Sequence, residues 1–509
     1  MRFANGAELI HSMRAAWGRN ALDGAALLLL CLVAILTFGT RYWQPESLFW
    51  DENYHVASAH KQLAGVMYME NHPPLGKMLI ALGEAAVGAN EGLDTTALLH
   101  TDHASQSQLP PGYSFAGVRL ASVLGLILAT PLLYLLIFEA TRSRAVAVCF
   151  ALLLPLDNAW VTHGRAAMLE GVQLPFVLLA LWLFARCVRA GGSIRLHHYL
   201  LLGASLGLAL AVKLNAAPLL LLPPVLLGLE LWRQRASLRP LAAARRSLTT
   251  GSVTIAGLGG VFLGVFWLQI ALSPNVIEGR IYKASPEFVA ALYQKQSAAP
   301  STFLVGVRDH LRYIAEYSDG VPRFDACKPG ENGSPALHWP LGGKTINYRW
   351  AKVDVDGQTK VDYTYLVTNP MVWLPVLAGM LLSFALLASW AVFGLKPKDT
   401  RLLGWIALMS ALYLGYMISM LQVERVMYLY HYLLPLVFGI VNLGLVFSYV
   451  FRDSLLRGDW HPRINLAAYA GLVLAGFLYF APFTYGWPID EADVERRAWL
   501  QVWKLEPVR

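Results

Sequence analysis

Apolar runs of about 17 to 23 residues recur along the whole chain, and a helix of that length crosses the ~30 Å hydrocarbon core of a bilayer. Eleven spans are expected, at 22–40, 116–138, 143–158, 167–186, 197–212, 214–230, 252–272, 371–393, 402–420, 428–450 and 465–483. In lipid the backbone must satisfy its own hydrogen bonds, so the fold class is an all-α polytopic membrane protein. Composition agrees. Only 15% of the 509 residues are charged and the mean hydropathy is +0.46, against about 25% charged in a soluble domain. The tract 197–230 is broken only by Lys213-Leu214-Asn215. It reads as two spans turning at Lys213, with one broken helix as the alternative.

The formal net charge is +8. In a soluble protein that would suggest nucleic acid; here the cations sit in short loops between spans, and no nucleic-acid partner is expected. Every second loop is basic: Arg142 and Arg144, then Arg189 and Arg195, then Arg233 to Arg246, then Lys396 to Arg401, then Arg452 to Arg463. The N-terminal Arg2, Arg14 and Arg19 fall on the same side. That side is expected to be cytoplasmic, with the first span retained as a signal anchor in a multi-pass inner (cytoplasmic) membrane protein. The long loops 41–115 and 273–370 and the C-terminus then face the extracytoplasmic side, away from nucleotide-sugars. The expected units are a transmembrane module 1–272 containing the 41–115 loop, an outer loop 273–370, and C-terminal helices and tail 371–509. The four cysteines show no pairing framework or metal spacing.

Ionisable groups at the membrane face are costly to keep and point to function. Asp51-Glu52 opens the first long loop, and His72-Pro73-Pro74-Leu75-Gly76-Lys77 launches an interfacial helix over Leu75 to Val87. The acidic pair fits a helix N-cap, a general base or a metal ligand equally well. Lys77 fits a snorkelling cation or a phosphate ligand. Arg119, Arg165 and Lys213 each fit an interfacial residue alone; together with Lys77 they break the charge rule and suggest an anionic ligand. His431 and Tyr432 begin the tenth span, where an aromatic belt is the simpler reading. Asp354-Val355-Asp356 lies on an expected hairpin around Asp356-Gly357, so a metal-nucleotide role is rejected.

In order along the chain, these residues resemble the protein O-mannosyltransferases, glycosyltransferase family 39 of the GT-C fold. The resemblance is carried by Asp51-Glu52, His72 to Lys77, Arg119, Leu156-Asp157-Asn158 with Arg165, Lys213, Asn369-Pro370-x-x-Trp373, His431-Tyr432-x-x-Pro435 and Tyr485-Gly486. It implies inverting transfer of mannose from a polyprenyl (dolichyl-type) phosphate to Ser/Thr hydroxyls of secreted proteins. Asp51 would be the base and Glu52 its catalytic neighbour. His72, Lys77, Arg119, Arg165, Lys213, His431 and Tyr432 would bind the donor phosphate and sugar. Whether a divalent cation (Mg or Mn) takes part is left open; any such ion would sit on Asp51 and Glu52. The 273–370 loop is too short for the MIR domain of eukaryotic members, so a bacterial-type member is implied. That keeps a lipid (such as lipid A) or surface-glycan acceptor as the alternative, with a polyprenyl-linked sugar transporter behind it. Membrane lipids are expected partners, and the family includes dimers.

Overall fold

The fold is that of a computed structural model. Residues 6–328 and 330–505 are described, the side chains of residues 6–20 and of Ser318 excepted. Nine helices among them are long and apolar enough to cross a membrane: Ala21–Gly39, Ala116–Thr141, Leu169–Ala190, Leu214–Gln234, Pro240–Ala271, Pro370–Ala391, Thr400–Leu421, Leu429–Val450 and Trp460–Tyr485. A tenth apolar helix, Leu196–Val212, has 17 residues. Lys213 follows it with an extended backbone (φ −156°, ψ 131°). The chain then returns: Glu230 on the following helix accepts the Tyr199 hydroxyl at 2.8 Å and the Ile194 N–H at 3.3 Å. The 197–230 tract is therefore two crossings.

The expected span 143–158 is not one helix. It is split into Arg144–Ala151 and Asn158–Gly164. Pro155 lies in the break, where its missing N–H and its ring oppose a continuous helix. The segment still runs along the last helix from end to end. Cys149 Sγ donates to the Leu466 carbonyl, Asn158 Nδ2 to the Phe477 carbonyl, and Arg165 to the Thr484 carbonyl. A break at membrane depth needs new partners for its backbone. Asn369 donates to the Leu156 carbonyl at 2.8 Å, and the Asp157 carboxylate accepts the Trp160 N–H at 2.9 Å and the Trp373 indole N–H at 2.8 Å. The Leu-Asp-Asn and Asn-Pro-x-x-Trp motifs thus meet as a repair of this break.

Close packing is built on small residues elsewhere. A Cβ on Gly257 would lie 2.4 Å from the Leu200 carbonyl oxygen, so Leu196–Val212 and Pro240–Ala271 touch backbone to backbone. One core cluster runs from Leu30 to Phe477, with the helix Leu429–Val450 the most deeply buried crossing. Above one end of the bundle lie the short helices Glu52–Leu63 and Leu75–Val87, then Pro286–Tyr293 and Pro300–Tyr317. An antiparallel hairpin, β1 (Ile346–Val355) and β2 (Gln358–Leu366), follows. Its turn places Asp356 and Gly357 at φ 54° and 77°, the two left-handed residues of a type I′ turn. Trp503 from the C-terminal tail is buried against the hairpin cluster.

Candidate active site

Asp51 stands at the start of the Glu52–Leu63 helix, but its carboxylate caps no backbone N–H. It accepts instead from the Tyr430 hydroxyl at 3.1 Å. The residue before it, Trp50, adopts φ 54°, a left-handed backbone that a bulky side chain disfavours. Trp50 is held there by rings, its centroid 4.9 Å from Tyr428 and 5.5 Å from Tyr348. The short 3-10 turn Leu429–Tyr432 presents Tyr430 to Asp51.

Behind Tyr430 runs a continuous polar circuit. The Tyr348 hydroxyl lies 2.7 Å from His163 Nδ1, and His163 Nε2 lies 2.9 Å from Glu170. Since the Glu170 carboxylate only accepts, His163 donates to it through Nε2. Glu170 also accepts from Lys213 Nζ at 2.5 Å. The circuit closes on Tyr430: His163 stacks on its ring at 4.8 Å, and Lys213 Nζ sits 5.4 Å from its centroid.

The other wall is the His72–Lys77 turn. Pro74 starts the helix, and Gly76 lets the turn press against the bundle. A Cβ there would meet Leu169 at 2.5 Å and Val212 at 3.3 Å. Lys77 is fully buried, 3.4 Å from Glu70, and its Nζ has no hydrogen-bond acceptor among the described residues. Burial pushes its pKa below the ordinary lysine value; Glu70 opposes that shift and Lys213 adds to it. Burial first, then Lys213 and Lys77, hold His72 well below the usual imidazole range, so it is neutral at pH 7. Asp51, Lys77, His72 and Lys213 therefore share one electrostatic neighbourhood. A carboxylate with spare lone pairs faces cations with spare donors, the chemistry of deprotonating a hydroxyl beside a bound anion.

Several expected site residues are placed elsewhere. Glu52 is fully buried and points away from Asp51, into a bidentate pair with Arg119 at 2.7 and 2.8 Å. Its oxygens also accept the Ala167 and Phe49 N–H groups at 2.8 and 3.3 Å. Glu52 is thus corrected from catalytic neighbour to loop anchor, and Asp51 and Glu52 form no chelating pair. No cluster of three or more His, Cys, Asp or Glu suited to a metal occurs among the described residues. Arg119 is likewise corrected. Its five N–H donors go to Glu52 and to the Trp43, Pro45 and Ser47 carbonyls, leaving none for a phosphate.

Arg165 is tied to the Thr40 and Thr484 carbonyls and packs on the Tyr485 ring. It braces the ends of the first and last crossings. Tyr432 turns into the core, its hydroxyl 2.9 Å from that of Tyr413. His431 stays beside the site, stacked between Tyr430 and Trp339. Tyr348, His163, Glu170 and Glu70 are not among the sequence candidates, and Tyr430 falls in the Tyr430-His431-Tyr432 run whose sequence reading is an aromatic belt. Glu170 carried a usable signal, a lone carboxylate one residue into an apolar helix.

Two family models match the chain. One, described as dolichyl-phosphate-mannose-protein mannosyltransferase, covers residues 28–277. The other, the C-terminal four TMM region of protein-O-mannosyltransferase, covers residues 325–503. A polyprenol-phosphate-mannose–protein mannosyltransferase of Mycobacterium tuberculosis is 23% identical over 93% of this chain and 91% of that protein. Protein O-mannosyl-transferase 2 of Drosophila melanogaster is 26% identical over 48% of this chain. The match to that relative spans 32% of its length, and the match to protein O-mannosyl-transferase 1 of the rat spans 20%. Among solved structures, the S. cerevisiae protein O-mannosyltransferase Pmt1-Pmt2 complex bound to the sugar donor superposes with a TM-score of 0.75 at 16% identity. That superposition covers 94% of this chain and 92% of the other, and the shared fold is GT-C.

Proposed function

Because the chain belongs to the protein O-mannosyltransferase family, we propose that it moves mannose from a polyprenyl-phosphate donor to Ser or Thr hydroxyls of secreted proteins, with inversion. The observation that carries this reading is the pairing of an uncapped Asp51 with a buried Lys77 that has no hydrogen-bond acceptor. Asp51 accepts the proton of the acceptor hydroxyl as that oxygen attacks C1 of the sugar. Tyr430 holds the carboxylate by its hydroxyl. Lys77 and Lys213 offset the charge that grows on the leaving phosphate, and neutral His72 adds a hydrogen bond without a further cation. The lipid phosphate is already an activated leaving group. Glu170 and His163 position Lys213 and the Tyr430 ring.

The Asp51 end of the bundle is assigned to the extracytoplasmic side of a bacterial inner membrane, because every second loop at the other end is basic. The test is transfer of mannose from polyprenyl-phosphate-mannose to a Ser/Thr peptide by protein in nanodiscs, with and without chelator. Asp51→Asn is expected to abolish transfer while the protein melts as wild type. Full activity in that variant removes Asp51 from the reaction. Transfer to a lipid or glycan but to no peptide replaces the acceptor in this reading.

A further inference from the structure

At the end of the bundle away from Asp51 the structure holds a cavity of about 890 Å³ between the first crossing, the broken third crossing and the last helix. The helix Leu429–Val450 separates the two places: Tyr430 touches Asp51 at one end, and Arg452, just past the other, lines the cavity. At 1.5 Å per residue they are roughly 30 Å apart. One side of the cavity is apolar, formed by Leu22, Ala26, Val148, Leu152, Leu466 and Ala470. The other carries Arg142, Arg144, Arg401, Arg452 and Arg463, brought together from three separate loops.

The carboxylates do not balance these cations. Asp399 and Asp459 line the cavity, but Asp399 is 3.0 Å from Arg452 and Asp459 is 2.8 Å from Arg457. Asp23 is taken by Arg144. Arg463 forms no ion pair among the described residues, and Arg401 forms none within 4 Å, although Asp399, already bonded to Arg452, feels its charge; both arginines are exposed. Arg142 has only a 3.8 Å contact to Glu139, which Arg189 approaches more closely at 2.7 Å. It also holds φ 64°, a backbone that favours glycine.

A soluble anion needs no apolar wall, and an acyl chain needs no arginines. A phosphate headgroup on an acyl chain satisfies both at once. We propose that this cavity binds an anionic phospholipid, with its phosphate among Arg142, Arg401 and Arg463 and an acyl chain along the Leu22–Leu466 wall. The site is separate from the donor site and takes no part in sugar transfer.

The test uses the full chain in detergent, titrated with phosphatidylglycerol, phosphatidylcholine, glycerol phosphate and inorganic phosphate, and read by native mass spectrometry. Phosphatidylglycerol is expected to bind in preference to phosphatidylcholine. Arg401→Gln/Arg463→Gln is expected to weaken it about 25-fold, roughly five-fold for each arginine removed. A control, Arg195→Gln/Arg239→Gln, removes two exposed arginines outside the cavity and should leave binding within two-fold, a margin of about 0.4 kcal/mol. Both removed cavity arginines are exposed and unpaired, so melting should match wild type; should the double variant misfold, Arg463→Gln alone carries the test. Equal binding of the two lipids, an equal loss in the control, or undiminished binding in the folded cavity variant overturns the proposal. So does glycerol phosphate or inorganic phosphate binding as tightly as phosphatidylglycerol, which would make the cavity a soluble-anion site.

Discussion

Glu52→Gln should damage the fold of the first loop rather than the chemistry of transfer. Glu52 and Arg119 are 0% and 1% exposed and share two short hydrogen bonds. Removing the charge of one partner leaves the other buried and uncompensated, which costs about 3–5 kcal/mol. A glutamine also turns an NH2 group toward a guanidinium that can only donate. The Phe49 and Ala167 amides both donate to Glu52, so they report the damage directly. In hydrogen exchange read by mass spectrometry, peptides spanning 43–53 and 165–169 should lose protection by roughly two to three and a half orders of magnitude, unless global opening sets a lower limit. Arg119→Lys should do similar harm, because three donors replace five across the Trp43, Pro45 and Ser47 carbonyls and Glu52. Asp51→Asn should leave this protection intact and abolish transfer. If Glu52→Gln instead keeps wild-type protection and loses only kcat, the anchoring role is refuted and Glu52 returns to the chemistry.

Three further perturbations separate the parts of the site. Lys77→Met removes a buried cation and leaves Glu70, 3.4 Å away, without its ion-pair partner, so the protein should melt below wild type while transfer falls about 10²- to 10³-fold, further than the loss of folded protein explains. Glu170→Gln leaves Lys213 without its carboxylate; steady-state kinetics should show a raised donor KM and a lowered kcat, with Asp51 and Tyr430 unchanged in sequence. His60 lies outside the crossings, 2.8 Å from the Tyr113 hydroxyl, and burial lowers its pKa to about 4. The unfolded chain binds this proton more readily, so the contribution of His60 is complete above about pH 6.5 and is lost as pH falls toward 4. Acidifying from pH 7 to pH 5 should cost about 2 kcal/mol through this residue. His60→Gln should flatten that part of the acid limb in a thermal inactivation series; an unchanged slope would contradict it.

The sequence made the crossings legible because apolar length and loop charge are local properties. Nine of the eleven expected spans fall on helices long and apolar enough to cross, 197–212 falls on the 17-residue helix Leu196–Val212, and the Leu75–Val87 helix and the Asp356-Gly357 turn fall where Pro74 and the turn chemistry put them. Even the departure at 143–158 had its cause in plain view, as Pro155. The site was legible only as a neighbourhood. Adjacent residues in a helix or a tight turn face different ways, and sequence does not say which of two neighbours meets the cleft. Asp51 turns to Tyr430 while Glu52 turns to Arg119; Tyr430 meets the carboxylate while Tyr432 enters the core. A charge count made the same error with the cations. Arg119, Arg165, Lys77 and Lys213 all lie at the long-loop end, but Arg119 is consumed by Glu52 and three backbone carbonyls, and Arg165 is held by the Thr40 and Thr484 carbonyls with its Nε buried and unpartnered. A guanidinium has five donors and suits several carbonyls at once, whereas an ammonium is a point charge with rotatable donors. That difference leaves Lys77 within the field of Asp51, and Lys213 bonded to Glu170 beside the Tyr430 ring that Asp51 meets.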